Sequence, residues 1–416
     1  MKVVIIGGGI IGLSSAYYLQ LSGHEVTVID KTAMLSNCSY GNAGYVCPSH
    51  FVPLATPGIV KQGLKWMFNS KSPFYVQPRL SWSLIDWGLK FMHAATPERV
   101  EKAAIPLRDI AIISKKMYEE WVRLPQFGFA YETKGLLEIF QTEQGGDHAK
   151  HVMEKALELG LSDTVLLDHQ ALQELEPQTR IHALGAIHYK CDAHLYPNKL
   201  MHQLLADLKR KGVQFQANEE VVGFENKNDS ITRVSTGKAN YEADAVVVAS
   251  GSWSRELAAK MQVKIPMVPG RGYSVTLEDS PYKINYPAVL IEGRVALTPM
   301  DSNKIRFGGT MEITSTQTPP RISRVAGILK AVERFYPEFK VPLPSMDKVW
   351  YGYRPCSADG LPYLGRTRQW KNVVMATGHA MVGLSLGAGT GKIVSEILNE
   401  EELSMNISPF NPDRFQ

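Results

Sequence analysis

The first thirty residues contain the feature that most constrains the fold of this chain. The apolar run Lys2–Ile6 is typical of a buried parallel strand, and a G-x-G-x-x-G segment, Gly7–Gly12, follows it directly. The next residues predict a helix that ends near Gly23, and a second strand, Glu25–Ile29, leads to Asp30. This order of strand, glycine-rich turn, helix, strand and acidic residue predicts a binding site for a dinucleotide.

The glycines and the acidic residue have separate roles in such a site. Gly7 makes the tight turn, Gly9 lets the backbone approach the pyrophosphate, and Gly12 lets the helix pack close to the strand. The pyrophosphate would bind at the free N–H groups and positive dipole end of the helix, and Asp30 would accept hydrogen bonds from ribose. A G-x-G-x-x-G segment alone is weak evidence, because a glycine-rich turn that binds nothing also fits it. The complete order of elements favours binding.

Length and composition predict a globular protein with two domains. The 416 residues are enough for two cores, and 44% apolar and 21% charged residues are ordinary values. A net charge of +4 is small for this length, and we find no basic arm or RNA-binding motif, so nucleic acid binding is not indicated. The four cysteines are widely spaced without a C-x-x-C pair, which favours free thiols over a disulfide framework or a zinc site.

The hydropathy pattern predicts a cytoplasmic protein. The sequence contains no apolar run of the about 18 residues that a membrane-spanning helix needs. The apolar run at the N-terminus is too short for a secretory signal, and it already forms the first predicted strand.

Two stretches after the first motif indicate surfaces for contact. Residues 31–57 predict a long loop at the carboxyl end of the second strand, where open α/β sheets bind ligands. Within it, Ser39–Gly44 offers small residues and backbone N–H groups for contact with a planar ring, although an ordinary surface loop is the alternative.

Helical periodicity is predicted over Ile59–Phe68, Ser81–Met92 and Pro97–Trp121. The first two of these helices combine aromatic and basic residues, in Lys65–Phe68 and in Trp82–Met92, which is typical of a surface that rests on a membrane or a partner. Ordinary packing between helices explains the same pattern, and we favour it.

Clustered strand patterns predict a second domain with a largely antiparallel sheet. The runs are Gly135–Phe140, Ala186–Tyr189, Met267–Leu277, Ala288–Ile291, Val295–Pro299 and Ile305–Gly309. The predicted fold class is therefore α/β, with a discontinuous nucleotide-binding domain (residues 1–50, 192–265 and 347–416) and a substrate domain formed by insertions (residues 51–191 and 266–346).

The nucleotide-binding domain also receives segments from the middle and end of the chain. Buried strands are predicted over Tyr241–Ser250 and Asn372–Ala376, and Gly383–Gly391 leads into the last helix. A second glycine-bearing helix start at the same sheet edge suits a long, permanently bound cofactor such as FAD, whereas a nicotinamide enzyme needs only the first βαβ unit. The N–H groups at Val382–Ser385 would stabilise the negative charge of reduced flavin.

Arg354 lies in a locally uncharged, aromatic stretch, Trp350–Gly365. An arginine in such surroundings either pairs with an internal carboxylate or binds the carboxylate of a ligand, and the residues alone leave both open. Asp359 is expected to cap the turn at Asp359-Gly360 rather than to catalyse a reaction.

These segments together resemble the FAD-dependent family of D-amino acid oxidase and glycine oxidase, and within it most of all the bacterial D-amino acid dehydrogenases. The resemblance covers nearly the whole chain. It rests on the N-terminal βαβ unit, the Asn42-Ala43-Gly44 loop, Ala245–Trp253, Arg354-Pro355 with Asp359-Gly360, the Pro53 to Gly58 segment and the Gly378–Leu386 ending.

The resemblance implies a Rossmann-like, glutathione-reductase-like FAD-binding domain and roles for single residues. Arg354 matches the arginine that grips the substrate carboxylate, and Tyr273 or Tyr353 would add a hydrogen bond. Non-covalent FAD is expected, because relatives with covalent flavin carry cysteine where this chain has Gly352. His379 is expected to be structural rather than a general base.

The residues expected to bind FAD are Gly7, Gly9, Ile10, Ile11, Gly12, Asp30 and Lys31; Ser39, Asn42, Ala43, Gly44 and Tyr45 at the isoalloxazine; Val221 at the adenine end; Gly251 and Trp253; and Gly378, His379, Met381, Val382, Gly383, Leu384 and Ser385 under the flavin.

The implied activity is oxidation of a D-amino acid, a D-proline derivative included, by hydride transfer from Cα to flavin N5. The electrons would pass to a quinone or another carrier, with the protein cytoplasmic or peripheral on the inner membrane. Two alternatives stay open: an oxidase of glycine, sarcosine or similar small amines that uses oxygen, and a flavin-binding subunit of a hetero-oligomer without turnover.

Overall fold

The structure is a computed structural model that describes residues 1–58, 73–79 and 81–416. The helix predicted over Ile59–Phe68, with its run Lys65–Phe68, lies outside the described residues. The described strands are β1 (Lys2–Ile6), β2 (Glu25–Asp30), β3 (Tyr45–Val46), β4 (Phe74–Val76), β5 (Leu136–Phe140), β6 (Thr164–Asp168), β7 (Gly185–Tyr189), β8 (Ala193–His194), β9 (Gln214–Ala217), β10 (Val221–Lys227), β11 (Ser230–Thr236), β12 (Asn240–Glu242), β13 (Ala245–Val248), β14 (Met267–Leu277), β15 (Ala288–Leu290), β16 (Val295–Pro299), β17 (Ile305–Ile313), β18 (Trp350–Ser357), β19 (Tyr363–Arg366) and β20 (Val373–Thr377). The described α-helices are α1 (Ile10–Leu21), α2 (Trp82–Ala94), α3 (Pro97–Val122), α4 (Glu143–Glu158), α5 (His169–Leu175), α6 (Pro197–Arg210), α7 (Ser254–Lys260), α8 (Ile322–Phe335) and α9 (Gly387–Asn399).

A six-stranded sheet in the order β19-β20-β13-β1-β2-β9 forms the predicted nucleotide-binding fold. Its strands pair in parallel except for β19, which is antiparallel to β20 at one edge. One face packs against α1, α3, α6 and α9, and the other packs against a three-stranded sheet, β10-β11-β12, and α7. Because both faces are covered, the central strands are continuous apolar runs, which is why the sequence reveals them.

A larger sheet in the order β18-β14-β17-β16-β15-β5-β7-β6, with β4 beside the end of β17, forms the second layer. Six of its eight described pairings are antiparallel, so the prediction of a largely antiparallel sheet is confirmed. We assigned β18 to the nucleotide-binding domain, but it pairs with β14 from Trp350 to Ser357. Strand pairing therefore joins residues 350–357 to the larger sheet, and the division into two domains, with its last boundary at 347, stays a prediction.

The strand predicted over Tyr241–Ser250 is two strands in the structure. β12 pairs with β11 in the three-stranded sheet, and β13 pairs with β1 after a break at Ala243-Asp244. Asp244 accepts a hydrogen bond from the Lys2 backbone N–H (2.7 Å), so the break is held in place.

Helices α4 and α8 were not predicted. In α8, Val325, Ile328, Val332 and Phe335 pack into the core of the larger sheet, at a helical spacing that the sequence analysis did not use.

The glycines of α9 allow three helices to meet closely. A Cβ atom at Gly391 would lie 2.4 Å from the backbone of Ser14 in α1, and one at Gly389 would lie 2.9 Å from the backbone of Ser114 in α3. This close packing brings the start of α9 to the N-terminus of α1, so both ends of the chain contribute to one place.

Helix α2 has an apolar stripe on its exposed side. Trp82, Ile85, Leu89 and Met92 follow a helical spacing and are exposed, Trp82 by 86%. On the opposite side, Trp87 and Phe91 are buried. Packing against strands of the larger sheet, rather than against other helices, therefore explains one side of α2, and the other side stays exposed. Among the described residues, we find no helix with the length and hydropathy to span a bilayer.

Candidate active site

A cavity of about 1600 Å³ is lined by residues of both large sheets. It extends from the glycine-rich turn at Gly7 and Gly9 past Arg354 to Glu138 on β5. Every residue that we predicted to bind FAD lines it, except Gly12, Gly44 and Gly378.

None of these three glycines leaves room for a side chain. A Cβ atom at Gly12 would lie 1.8 Å from the carbonyl oxygen of Gly7, so Gly12 sets the distance between α1 and β1, as predicted. Gly44 has a φ of +84° with the Leu195 carbonyl oxygen 2.2 Å from its Cβ position, so only glycine fits there. Contact of these glycines with the cofactor stays a prediction, because they do not line the cavity.

The N-terminus of α1 offers hydrogen-bond donors to the cavity. The N–H groups of Gly9 and Ile11 donate to no acceptor among the described residues. The N–H of Ile10 donates to Ser39 Oγ (3.0 Å), which leaves the Ser39 hydroxyl hydrogen for an acceptor in the cavity. Donors at a helix N-terminus form an anion site, and a pyrophosphate fits it.

Asp30 lies beside this turn. Its Oδ2 accepts from the Gly8 N–H and its Oδ1 accepts from the Thr32 N–H, both at 2.7 Å. Asn37, which sequence reasoning missed, donates to the Gly8 carbonyl (2.8 Å) and accepts from the Ser39 N–H (3.0 Å). It ties the loop to the glycine-rich turn, and no sequence pattern distinguishes it from the other polar residues of that loop.

The residue predicted at the adenine end, Val221, and two others predicted beside the cofactor come from distant segments. Val221 begins β10, and Gly251 and Trp253 follow β13. The Lys31 ammonium group lies 3.9 Å from the centre of the Trp253 ring, a cation–π contact that positions both side chains at the cavity.

The predicted flavin loop is bound to the larger sheet. Thr298 Oγ1 donates to the Ala43 carbonyl (2.7 Å), and the Tyr45 hydroxyl donates to the Ala288 carbonyl (2.7 Å). Asn42 accepts from the N–H of Gly44 (2.9 Å). The loop therefore joins the two sheets along the wall of the cavity.

The turn before α9 presents free amides to the same cavity. The helix begins at Gly387, a few residues later than predicted, but the Leu386 N–H already donates to the Val382 carbonyl (2.9 Å). The N–H groups of Gly383–Ser385 donate to no acceptor among the described residues. Tyr118 of α3 supports the turn by donating to the Leu384 carbonyl (2.6 Å). Such preorganised donors suit the negative charge of a reduced flavin.

His379 is buried beside this turn. Burial lowers its pKa to about 3, so the imidazole is neutral at ordinary pH. Its Nε2 lies 3.1 Å from the hydroxyl of Thr390 in α9. These surroundings agree with a structural role, which stays a prediction.

Arg354 extends from β18 into the cavity and is half-buried. Its guanidinium lies on Gly272 of β14, where any Cβ atom would come within 2.4 Å, and its Nη1 donates to the Thr310 carbonyl of β17. Burial lowers the pKa of Arg354, and the group forms no ion pair with a described residue. Gly272 and Thr310, both missed by the sequence analysis, hold a cation that has no internal carboxylate partner in the described chain.

Tyr273 and Tyr353 line the same cavity as Arg354, but their side chains lie on the other face of the sheet. Arg354 and Tyr353 are consecutive residues of β18, so their side chains point to opposite faces of the sheet. The Tyr353 hydroxyl donates to the Thr316 carbonyl (2.8 Å), and the Tyr273 hydroxyl donates to Glu312 (3.0 Å). The predicted hydrogen bond from either tyrosine to a substrate carboxylate is therefore not supported by this arrangement.

The residues present fit FAD. The free donors at α1 would face the pyrophosphate, Asp30 the ribose, and the amides of Gly383–Ser385 the flavin. At Gly9, a Cβ atom would meet only Ser39 Oγ, at 3.5 Å, so the backbone is open to close approach from the cavity.

Comparisons with known proteins agree with this site. The sequence pattern of the DAO family, described as FAD dependent oxidoreductase, matches residues 2–397. The D-amino acid dehydrogenase of Neisseria meningitidis serogroup C is 30% identical over 430 aligned positions that cover 100% of both chains. Among solved structures, glycine oxidase from Geobacillus kaustophilus has a TM-score of 0.78 at 21% identity and covers 100% of this chain and 99% of its own. L-proline dehydrogenase from P. horikoshii has a TM-score of 0.75 at 21% identity, and the alignment covers 100% of this chain and 97% of that chain.

The chain belongs to this family of FAD-dependent oxidoreductases, and its cofactor is FAD. The solved structures share the fold, which confirms the predicted Rossmann-like domain with a second, largely antiparallel sheet.

Proposed function

We propose that this FAD-dependent oxidoreductase is a dehydrogenase that oxidises D-amino acids at Cα and passes the electrons to a quinone or another carrier. The observation that carries the proposal is Arg354, a cation that faces the FAD cavity and has no carboxylate partner among the described residues. A substrate with an α-carboxylate supplies that partner. The name of the Neisseria meningitidis relative, D-amino acid dehydrogenase, supports the choice of D-amino acids.

Bound FAD supplies a two-electron acceptor that takes a hydride at N5. Gly9, Ile11 and Ser39 would hold its pyrophosphate, and the amides of Gly383–Ser385 would stabilise the charge that develops on its ring. Its attachment is expected to be non-covalent, so acid precipitation should release the flavin into solution.

Arg354 would orient the substrate by hydrogen bonds to its carboxylate, with Thr310 holding the guanidinium from behind. The neutral amine supplies a lone pair while the Cα hydrogen leaves with two electrons as hydride, and the iminium product then loses a proton to water. Hydrolysis gives the 2-oxo acid and ammonia. His379 is neutral and buried, so orientation and charge stabilisation, rather than a protein base, carry the reaction.

An anaerobic titration tests this function. FAD-loaded protein is mixed with D-alanine, D-proline and their L-enantiomers, and flavin bleaching is followed. We expect rapid bleaching with D-amino acids, reoxidation by a soluble quinone, and little peroxide when air is admitted. Stoichiometric peroxide would instead identify a glycine-type or sarcosine-type oxidase, and protein that stays yellow with every compound would identify a subunit without turnover.

The exposed stripe on α2 supports a membrane-bound acceptor. We propose that Trp82 and Leu89 insert into the lipid surface, since apolar side chains on one exposed face gain free energy by leaving water. The double variant Trp82→Ser, Leu89→Ser should sediment about tenfold less with phosphatidylethanolamine–phosphatidylglycerol vesicles than the parent does. Leu343→Ser, at another exposed apolar position, is the control; equal sedimentation of all three proteins would refute the proposal.

A further inference from the structure

Beyond Arg354 the cavity continues along one face of the larger sheet. Gly308 of β17, Ala296 of β16, Val289 of β15 and Glu138 of β5 are partners in register and line the cavity. Residues in register on neighbouring strands point to the same face. Three of these four residues carry no polar side-chain group, and the fourth, Glu138, brings one carboxyl group to the cavity.

Few described groups stabilise a negative charge on Glu138. Its nearest hydrogen-bond partner is the Tyr189 hydroxyl at 3.5 Å, and it forms no ion pair with a described residue. Asp192, fully buried close by, accepts from the hydroxyl and N–H of Ser49 and likewise pairs with no described cation. Burial, with the charge of Asp192 as a second cause, raises the pKa of Glu138 to about 7, and burial raises that of Asp192 to about 6. A cation bound at this end of the cavity would therefore stabilise the ionised forms of both carboxyl groups.

The distance between Arg354 and Glu138 determines how long a ligand must be to contact both. The Arg354 guanidinium reaches the Thr310 carbonyl on β17, and β5 lies three strands further along the sheet. At about 4.8 Å per strand, that separation is roughly 14 Å. An extended lysine spans about 7 Å from its carboxyl carbon to Nζ, at about 1.2 Å per bond, and an ion pair at each end adds about 3–4 Å. Alanine or proline would leave about half of this distance empty.

We propose that Glu138 is a specificity-determining residue that binds the cationic end of a long substrate side chain, as in D-lysine or D-ornithine. The carboxylate of the same substrate pairs with Arg354, and its methylene groups lie over Gly308, Ala296 and Val289. This inference rests on the proposed D-amino acid dehydrogenase activity and names its substrate class.

The proposal predicts a dependence on pH. The titratable groups that face Glu138 are Tyr189, Asp192 and the Cys47 thiol, while Arg294 and His50 line the same cavity without being a cause of its pKa shift. Glu138 is neutral below about pH 7 and ionised above it. The preference for D-lysine over uncharged D-norleucine should therefore increase as pH rises through 7, and decrease near pH 10, where lysine itself loses its charge.

The test compares D-lysine with D-norleucine, which has the same carbon chain without the amine. In the FAD-loaded Glu138→Gln variant, kcat/KM for D-lysine should fall about thirtyfold, the cost of leaving a buried cation unpaired. The value for D-norleucine should change by less than about twofold, and the rise in preference near pH 7 should disappear. Glu154→Gln, at an exposed position of α4, is the matched control and should behave like the parent.

Three results would overturn the proposal. The first is an equal effect of Glu138→Gln on both substrates, which would indicate a structural role. The second is a variant that is reduced normally by D-lysine but reoxidised slowly by quinone, which would assign Glu138 to the second half-reaction. The third is a parent that oxidises D-alanine and D-norleucine but discriminates against D-lysine. Failure of all D-amino acids to bleach the flavin would overturn the dehydrogenase proposal as well, and is recognised by the inactivity of D-alanine.

Discussion

Replacing Arg354 by alanine is expected to lower kcat/KM for D-amino acids by about 30-fold or more, while FAD stays bound. The guanidinium lies in a recess over Gly272 and has no internal carboxylate partner in the described chain, so in the proposed function the substrate carboxylate is its counter-ion. Removal of one partner of a buried charge pair costs about 2–5 kcal/mol, because the other charge is left desolvated and unpaired. Stopped-flow reduction of the flavin by a D-amino acid that the parent oxidises measures the effect.

Two further variants distinguish a loss of substrate binding at Arg354 from a general effect of removing an arginine. Arg354→Lys keeps the charge but loses the planar pair of donors, so an intermediate loss is expected. Arg123→Ala, at an exposed position after α3, should leave kinetics unchanged. Unchanged kinetics in Arg354→Ala, or a loss of flavin together with activity, would remove Arg354 from the substrate site.

Replacing Gly12 by alanine is expected to produce protein without flavin. The added Cβ atom would lie 1.8 Å from the Gly7 carbonyl oxygen, and both are backbone-bound, so α1 must move away from β1 by more than an ångström. That movement displaces the free N–H groups of Gly9 and Ile11 and disturbs the close packing of α9 against Ser14. Overpacking of this kind also lowers the free energy of unfolding by about 1–3 kcal/mol. The flavin-to-protein absorbance ratio after gel filtration, together with urea unfolding, measures both effects.

Gly88→Ala is the matched control. Gly88 lies within α2, and a Cβ atom there meets nothing within 4 Å. Alanine should therefore retain FAD and stabilise the helix by about 1 kcal/mol. A Gly12→Ala protein that keeps its flavin at the parental ratio would show that α1 does not need this close approach.

The elements that sequence reasoning predicted correctly are those that depend on local patterns. The turn Gly7–Gly12 and the buried strands around it depend on short-range patterns, since a parallel strand covered on both faces must be apolar throughout. Arg354 was conspicuous because a cation in an aromatic, uncharged stretch needs a partner from elsewhere. The sequence did not show whether that partner was internal.

What the sequence could not show depends on pairing between distant segments. The role predicted for Tyr273 or Tyr353 stays a prediction: both line the cavity, but alternation along β18 and the hydrogen bonds of their hydroxyls direct them away from Arg354. The break between β12 and β13 followed from pairing with two different sheets. Glu138 went unnoticed, because one acidic residue in a strand pattern carries no signal until its neighbours are known.

The sequence by itself determined the β1–α1–β2 unit, indicated the class of cofactor and singled out Arg354 as a cation that needs a partner, because each depends mainly on the order of residues close along the chain. Only the tertiary structure decided which donors are free, which face each strand residue occupies and what lies opposite Arg354. Those properties arise from register between strands far apart in sequence, where a shift of one residue moves every side chain to the other face.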